Sequence, residues 1–381
     1  MAAALLAASP SAGAPPLPAG IPGIPRCLTA GADAARGDRG TPLGDVPAAR
    51  RATLARGVNV TDLFGPGRER DVDATFRRLR LAGIRHVRIP VSAEVFADNP
   101  PPWQAEVLRH LDQAVCSAMA QHLGIVIDLH WLGAGPKGET VETMTTRLAE
   151  VWRRLAGRYG RAPADGMFFE VLNEPKLPDE RQWEGVQNTL VRAIRSVAPA
   201  NTVIATASPW STAAALAAMV PLGDRNVVYA FHFYTPMIFT HQGAAWSLPN
   251  YASVDGLVFP ARPDNVAEVA RHAAPDRQAE LADYGRNFRD TRPIETEIQA
   301  AANWAQRYGT VLAVTEFGVY DKAAPLPARA AWLAAVRRTL KAHDIGWTVW
   351  EYQGGFGIAD DLRRGCTVPD SAVAALDLCG S

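Results

Sequence analysis

The sequence has no excess of either charge. Lys and Arg together number 39, Asp and Glu together also number 39, and the formal net charge of the 381-residue chain is zero. Proteins that bind nucleic acids or anionic membranes usually carry a basic excess, so this balance argues against both kinds of partner. Lysine is scarce, with four residues among the 39 basic ones. Such an Arg bias is more often a mark of genomic base composition than of a phosphate-binding site.

Cysteines are few, and long apolar runs are missing from the main part of the chain. Beyond the first 26 residues, no apolar stretch reaches the ~18 residues that a membrane-spanning helix needs. No CxxC or Cys/His spacing typical of zinc sites is present, so no structural metal is expected. Cys366 and Cys379 are close enough in the chain to tie down the C-terminal tail, but four cysteines allow three pairings and the sequence does not choose among them. The four are Cys27, Cys116, Cys366 and Cys379.

Residues 1–50 form an apolar, Pro-rich extension. It begins MAAALLAASPSAGA, a short apolar run followed by small residues suited to signal-peptidase cleavage, yet no Lys or Arg precedes Arg26. We interpret it as an incomplete or clipped signal peptide, with a disordered leader as the alternative. Together with cysteines that are able to form disulfides, it predicts a secreted or periplasmic protein.

From residue 51 to residue 381, short apolar runs alternate with amphipathic segments. The strand candidates are 55–60, 86–91, 124–131, 167–175, 202–208, 227–234, 310–318 and 345–352. Most are continuously apolar, which is typical of parallel strands covered by helices. Helical patterns occupy 71–83, 105–124, 140–158, 181–198, 211–219, 294–308 and 327–343. Eight strands alternating with helices predict a (β/α)8 barrel of the TIM type. A doubly wound open sheet is the alternative, but no GxGxxG follows the first strand.

One connection is longer than the others. The predicted ends of strands six and seven, at residues 234 and 316, are 82 residues apart, whereas the other intervals are 27 to 44 residues. The additional residues, about 235–293, are predicted to form a loop insertion at the carboxyl end of the barrel, where the active sites of such barrels are built. We expect this insertion to form a wall of a substrate cleft.

Polar residues gather where the predicted strands end. Two of them are carboxylic acids: Glu174 ends strand four in VLNEP, and Glu316 ends strand seven in VTEFG. Either residue alone would be an ordinary polar strand end. Because both strands open at the same mouth, the two side chains are able to flank a substrate, as the paired carboxylates of retaining glycosidases do at ~5 Å. The whole set is Arg88, His130, Asn173, Glu174, His232, Tyr234, Glu316 and Trp350.

Four motifs carry a family resemblance. DLHW, NEP, HFY and TEFG follow one another along the chain, and the likeness extends from about Arg56 to Trp350. In this order they resemble glycoside hydrolase family 5, the cellulase family. The resemblance implies that Glu174 is the general acid/base and Glu316 the nucleophile. We expect the pKa of Glu174 to be raised, helped by the negative charge of the nucleophile.

The resemblance also implies roles for polar neighbours of the two carboxylates. Arg88, in VRIPV, would favour the ionised form of Glu316, and Tyr234 would orient that nucleophile. Asn173 would hydrogen-bond the 2-hydroxyl of the sugar. The alternative for Arg88 is a salt bridge at the barrel mouth.

Histidines and tryptophans complete the implied set. His130 and His232 resemble the two pocket histidines of the family, and Trp350 resembles the tryptophan that forms the floor of the sugar site. All three are otherwise read as core residues. His241 and Gln242, in the insertion, are weaker candidates. Further sugar platforms, with core or lid packing as the alternative, are Trp131, Trp210 and Trp246.

These residues predict a retaining β-glycosidase, an endo-β-1,4-glucanase, that requires neither a metal nor another cofactor. The expected partner is a β-glucan oligo- or polysaccharide, and we expect a monomer. The family's catalytic set barely changes between cellulose, mixed-linkage glucan, mannan, xyloglucan and β-1,3-glucan, so the chemistry is predicted more firmly than the substrate. The alternatives are a transglycosylase that remodels an exopolysaccharide and a non-catalytic carbohydrate-binding barrel, which has no need of a paired acid and nucleophile.

Overall fold

Eight parallel strands close into a barrel in chain order. The computed structural model of the protein describes residues 23–29, 45–61, 63, 71–96, 104–131, 138–177, 179–364, 368 and 370–378. Each strand pairs with its neighbours in sequence, and the first pairs with the eighth. The (β/α)8 prediction is therefore confirmed, and the open-sheet alternative is wrong because an open sheet has unpaired edges. The strands are β1 (Arg56–Asn59), β2 (His86–Ser92), β3 (Gly124–Trp131), β4 (Met167–Glu170), β5 (Thr202–Thr206), β6 (Val227–Phe233), β7 (Val311–Phe317) and β8 (Gly346–Val349).

Helices cover the outside of the barrel. Each strand from β2 to β8 is preceded by at least one helix, as the amphipathic segments of the sequence predict. No helix in the described part of the chain has both the length and the apolar character needed to cross a membrane. The helices are α1 (Arg26–Thr29), α2 (Ala48–Thr53), α3 (Val72–Leu81), α4 (Gln104–Ala120), α5 (Val141–Tyr159), α6 (Trp183–Val197), α7 (Ala213–Ala218), α8 (Met237–Thr240), α9 (Pro263–His272), α10 (Gln278–Asn287), α11 (Arg292–Tyr308), α12 (Leu326–Ala342), α13 (Ala359–Arg364) and α14 (Ala372–Ala375).

The alternation of side chains along each strand determines which residues reach the barrel mouth. In β3, Ile125 and Ile127 pack in the layer between strands and helices, whereas Val126 belongs to a small cluster with Phe168 that fills the barrel interior. Side chains two positions apart point to the same face of a strand. The inward face of β3 therefore continues from Val126 to Asp128. The same alternation in β4 brings a second polar side chain inward, two residues after Phe168.

A disulfide and a buried arginine help to attach the N-terminal segment to the barrel. Cys27 of α1 forms a disulfide with Cys116 of α4, with a Cα–Cα distance of 5.7 Å. Arg50 of α2 is buried at the base of the barrel, where it donates hydrogen bonds to the side chain of Asp165 at 2.8 Å and the carbonyl of Ala200 at 2.7 Å. The structure thus selects one of the pairings that the sequence left open. The remaining cysteines, Cys366 and Cys379, lie outside the described residues.

The segment between β6 and α11 is helical rather than a simple loop. It contains α8, α9 and α10, although its many Pro and Asp residues predicted a loop. Gln242 stabilises this segment through three hydrogen bonds. Its buried side-chain N–H groups donate to the carbonyls of Phe239 and Leu257, and its side-chain oxygen accepts from the Leu257 backbone N–H. A hydrogen bond from the Gly256 backbone N–H to the Ala323 carbonyl, at 3.2 Å, joins the insertion to the segment after β7.

Candidate active site

A buried arginine lies at the centre of the barrel mouth. The side chain of Arg88 has no exposed surface. Its Nε and Nη2 atoms donate to the two oxygens of Glu170 at 2.8 and 2.9 Å, and Nη2 lies 3.0 Å from Asp128. The guanidinium also donates to Glu316 at 2.9 Å and to Asn173 at 2.8 Å. Burial lowers the pKa of Arg88, but the surrounding carboxylates outweigh it and hold that pKa well above its usual value.

The position of Arg88 differs from the sequence prediction in one respect. We expected it at or near the end of its strand, but it is the third residue of β2, which continues to Ser92. Its long side chain reaches up to the mouth from within the barrel wall. Asn59, at the end of β1, accepts a hydrogen bond from it at 2.8 Å and donates to the carbonyl of Thr315 at 3.0 Å. The guanidinium is therefore fixed from several strands at once.

The two candidate carboxylates face one another. Glu174 follows β4 and Glu316 lies in β7, and an oxygen of one is within 4.8 Å of an oxygen of the other. Glu316 is held from two sides, since Arg88 donates to Oε1 and the Tyr234 hydroxyl donates to Oε2 at 3.0 Å. Two donors stabilise an ionised carboxylate and fix its direction. The arrangement is suited to a nucleophile opposed by a proton donor.

A histidine lies between the two carboxylates. Nδ1 of His232 is 2.9 Å from Oε1 of Glu174 and 3.6 Å from Oε2 of Glu316. Burial raises the pKa of Glu174, but the hydrogen bond from His232 and the charge on that ring outweigh it, so the net shift is downward. Our expectation of a raised pKa for Glu174 is therefore wrong for the free protein, because the sequence did not reveal a cationic partner. Burial lowers the pKa of His232, but the nearby Glu316 and Glu174 raise it by more than burial lowers it. The net shift of the His232 pKa is therefore upward.

A second histidine lies beneath a partly buried tryptophan. Nδ1 of His130 is 2.7 Å from Asp128, and its ring stacks on Trp350 with 5.4 Å between centroids and 10° between planes. Burial lowers the pKa of His130, but the charge and hydrogen bond of Asp128 raise it by more than burial lowers it. The net shift of the His130 pKa is therefore upward. Asp128 thus holds both Arg88 and His130. The aromatic surface of Trp350 is supported from one side by the imidazole.

Comparison with known proteins decides the family. The sequence profile of the cellulase family, glycosyl hydrolase family 5, matches residues 48–355. The chain belongs to that family. It is a glycosyl hydrolase, and the resemblance that the motifs predicted is confirmed.

Individual relatives agree with this assignment. Endoglucanase 3 of Fibrobacter succinogenes is 25% identical over 340 residues, which cover 81% of this chain and 51% of that protein, so this chain spans about half the length of that relative. Endoglucanase C of Acetivibrio thermocellus is 26% identical over 282 residues, covering 71% of this chain and 81% of the relative. The crystal structure of endoglucanase Cel5A from Thermotoga maritima has a TM-score of 0.68 and 26% identity, with coverage of 86% and 98%. Structures of that enzyme contain cellobiose or mannotriose.

The cluster of Glu174, His232 and Glu316 at the barrel mouth already has hydrogen-bond partners on the atoms that could bind a metal. Glu174, His232 and Glu316 each offer one atom, and these atoms lie within 4.8 Å of one another. The donor atom of His232 is already bonded to Glu174, and both oxygens of Glu316 accept hydrogen bonds from Arg88 and Tyr234. We therefore assign no cation to these groups.

The predicted sugar platforms differ in how they are placed. Trp210, in the loop after β5, is 47% exposed, and the ammonium of Lys176 lies 4.6 Å from its ring centroid. Trp246, in the insertion, is 61% exposed and packs edge-on against His241 with 5.8 Å between centroids. Trp131 is the last residue of β3, and its side chain lies outside the described residues.

The two weaker candidates of the insertion have internal partners. His241 packs edge-on against Tyr234 at 5.0 Å and against Phe356 at 5.4 Å. Burial lowers its pKa to about 4, so it is neutral near pH 7. Gln242 is fully buried and bonds backbone groups of the insertion, so it supports the fold of that segment rather than facing the cleft.

Sequence reasoning missed the acidic layer under the candidate pair Glu174 and Glu316. Asp128 and Glu170 are fully buried and form ion pairs with Arg88, and Asn59 accepts a further hydrogen bond from it. A signal for them exists in the sequence. Each acid interrupts an otherwise apolar strand, in GIVIDLHW and MFFEVL, at a position that the alternation directs inward. A charged residue at such a position needs a buried partner, and Arg88 of β2 is the buried cation that reaches both acids.

Proposed function

We propose that this member of the cellulase family is a retaining endo-β-1,4-glucanase that cleaves a β-linked glucan by double displacement. The observation that carries the proposal is the pair Glu174 and Glu316, with oxygens within 4.8 Å of each other. Retaining glycosidases use carboxyl groups ~5 Å apart, whereas inverting enzymes need about 6.5–9.5 Å to admit a water molecule. The endoglucanase names of the relatives support the choice of substrate.

The proposed mechanism follows from the partners of each carboxylate. Arg88 and Tyr234 each donate a hydrogen bond to Glu316 and fix its direction, so that it attacks the anomeric carbon as Glu174 protonates the leaving oxygen. Glu174 then takes a proton from water, which releases the sugar from Glu316 with its original configuration. Asn173, fixed by Arg88 at 2.8 Å, is placed to bond the sugar 2-hydroxyl.

The sugar itself would rest on an aromatic surface. Trp350, stacked on His130, offers an indole face to the apolar C–H face of a pyranose ring. Such a contact favours a neutral sugar without requiring charge. This agrees with a chain whose formal charge is zero, because a neutral glycan gains nothing from long-range electrostatic steering.

Two substitutions test the proposal. Glu316→Ala removes the nucleophile and Glu174→Gln removes the acid, and we expect each to lower reducing-sugar release from carboxymethylcellulose by on the order of 10³-fold or more. Glu184→Gln, an exposed position on α6, is the control and should retain wild-type activity. Circular dichroism checks that the variants are folded. Near-wild-type turnover in both active-site variants, or an inverted product anomer by NMR, would refute the assignment.

Transglycosylation is the second candidate function, and the position of Trp210 favours it. Its backbone N–H donates to the carbonyl of Pro175 at 3.0 Å, directly after Glu174. Since the leaving group departs beside the acid, the exposed indole is placed to bind an incoming sugar acceptor. Sizing the products from a purified cello-oligosaccharide separates the two functions, because a transglycosylase yields chains longer than its substrate. The same assay with lichenan, mannan, xyloglucan and laminarin tests the choice of glycan.

A further inference from the structure

His232 is positioned to exchange a proton with Glu174, the proposed acid/base. Its backbone N–H donates to the carbonyl of Ser211 at 2.7 Å, which fixes the residue against the loop after β5. Its side chain is 2% exposed, whereas that of Glu174 is 33% exposed. Nδ1 is directed at Glu174, and Nε2 is buried without a hydrogen-bond partner among the described residues. The ring therefore exchanges a proton only through Glu174.

We propose that His232 holds the proton that Glu174 delivers, so that the acid/base of this site is a carboxylate–imidazole pair rather than a single glutamate. The inference rests on the proposed retaining mechanism and adds to it. His232 acts through Glu174 and does not itself touch the sugar. Its second carboxylate neighbour, Glu316 at 3.6 Å, makes its proton affinity depend on the state of the nucleophile.

The charges around the ring explain where the proton is held in the free protein. One permanent cation, Arg88, is surrounded by more carboxylates than it neutralises, so the site favours additional positive charge on its histidines. Arg88 itself acts in the opposite direction and lowers the pKa of His232. The titratable and charged groups that act on His232 are Glu174 and Glu170 from β4 and its end, Glu316 from β7 and Arg88 from β2.

Binding of a sugar moves the proton toward Glu174. The sugar covers the exposed part of Glu174 and removes water from it, and a dry ion pair is less stable than the corresponding neutral pair. The Nδ1–H bond of His232 breaks and an O–H bond forms on Glu174 Oε1, across 2.9 Å. This carboxylic acid then protonates the leaving oxygen as the bond from that oxygen to the anomeric carbon breaks.

The nucleophile controls the same proton. When Glu316 forms its bond to the anomeric carbon, it loses its negative charge, and His232 loses a neighbour that stabilised its cation. The proton affinity of His232 therefore falls at the moment when the leaving oxygen needs a proton. In the second step, water attacks the anomeric carbon, its proton goes to Glu174 and then to Nδ1, and the Glu316 ester breaks. Glu316 regains its charge, His232 regains its proton, and the cycle closes.

Kinetics with two leaving groups test this role. His232→Asn keeps a hydrogen-bond donor but has no proton to give at neutral pH. For phenyl β-cellobioside, whose leaving group requires protonation, we expect kcat/KM to fall by about 10²-fold or more, whereas for 2,4-dinitrophenyl β-cellobioside it should stay within ~3-fold of wild type. His130→Asn is the matched control. Because His130 bonds Asp128 rather than Glu174, any loss of kcat/KM in this variant should be equal for both substrates. An equal loss on both substrates in His232→Asn, or no loss, overturns the proposal.

A second measurement uses the wild-type chain and so does not depend on the folding of a variant. The 15N signals of His232 are followed with pH in the free enzyme and after Glu316 is trapped as an ester by a 2-deoxy-2-fluoro-cellobioside. The pKa of His232 should be lower in the trapped enzyme, and an unchanged pKa would overturn the proposal. If wild type cleaves neither cellobioside, the proposed function fails; if it cleaves both and these differences are missing, this inference alone fails.

Discussion

At the scale of single residues, many buried polar side chains of the barrel are stabilised by specific hydrogen-bond partners. His86 illustrates this at the opposite end from the active site. Its Nδ1 is 3.1 Å from the Thr53 carbonyl and its Nε2 is 2.8 Å from the Thr348 hydroxyl. With Nδ1–H as donor and Nε2 as acceptor, the neutral ring satisfies both contacts. Burial accordingly lowers the pKa of His86 to about 4, from an ordinary value of 6.5.

This shift predicts an acid-sensitive stability. The unfolded chain protonates His86 near pH 6.5 and the folded chain near pH 4, so the free energy of unfolding falls as the pH drops through this window. The expected contribution is about 3 kcal/mol, lost progressively between about pH 6.5 and pH 4. Urea unfolding of wild type and His86→Gln at pH 7 and pH 4.5 measures it. The variant should lose less stability on acidification than wild type, and His272→Gln, an exposed histidine, should behave as wild type. An equal loss of stability on acidification in all three proteins would count against this role of His86.

At the scale of elements, the insertion between β6 and α11 is connected to Glu316 through Tyr234. The Thr240 hydroxyl of α8 donates to the Tyr234 carbonyl at 2.7 Å, and the hydroxyl of Tyr234 donates to Glu316. From this point an aromatic cluster of Tyr234, His241, Phe356 and Trp246 extends outward to the surface. The geometry is consistent with our prediction of a cleft wall, which stays a prediction until substrate is bound.

Trp246 tests that prediction. Its exposed indole at the outer end of the cluster should bind a sugar unit distant from the cleaved bond, so Trp246→Ala should lower kcat/KM for cellohexaose about tenfold, or ~1.4 kcal/mol. For 2,4-dinitrophenyl β-cellobioside, which is too short to reach it, we expect little change. Leu248→Ala is the control, since Leu248 is 91% exposed in the same insertion. The same loss on the long and the short substrate would show that Trp246 supports the fold instead.

At the scale of the whole molecule, a disulfide ties the N-terminal segment to the barrel. The disulfide joins residues 89 apart in sequence, so it restricts the unfolded chain considerably. Disulfides persist in oxidising compartments and are rare in the cytosol. We therefore propose that the protein acts in the periplasm or outside the cell, as the N-terminal sequence predicts.

The disulfide predicts a redox-dependent stability. Removing it should lower the free energy of unfolding by up to about 4 kcal/mol, because the unfolded chain regains the entropy of a long loop. Guanidinium unfolding of Cys27→Ser, Cys116→Ser and the double variant measures this loss. All three should be equally destabilised, because each lacks the same bond, and dithiothreitol should bring wild type to the same level. Single variants that differ markedly from the double one would contradict this pairing.

Most of the barrel was predictable because its signal is local. Seven of the eight strands fall within the predicted runs and β2 extends one residue beyond its run, to Ser92, since a buried parallel strand must be apolar along its own length. The opposing positions of Glu174 and Glu316 followed as well, because strand ends of one barrel share a mouth. The helices of the insertion were missed, since its Pro and Asp residues are equally compatible with loops.

The sequence by itself determined the barrel, the two carboxylates and the family, because these depend on residue type, periodicity and the order of motifs. Only the tertiary structure decided the electrostatics of the site. Arg88 meets Glu170 and Glu316 across 82 and 228 residues of chain, and His232 meets Glu174 across 58. The pKa of Glu174 depends on distances of a few ångströms to such partners, and its direction was opposite to our expectation. Local patterns contain no information about those distances, which arise when closing the barrel brings separate strands together.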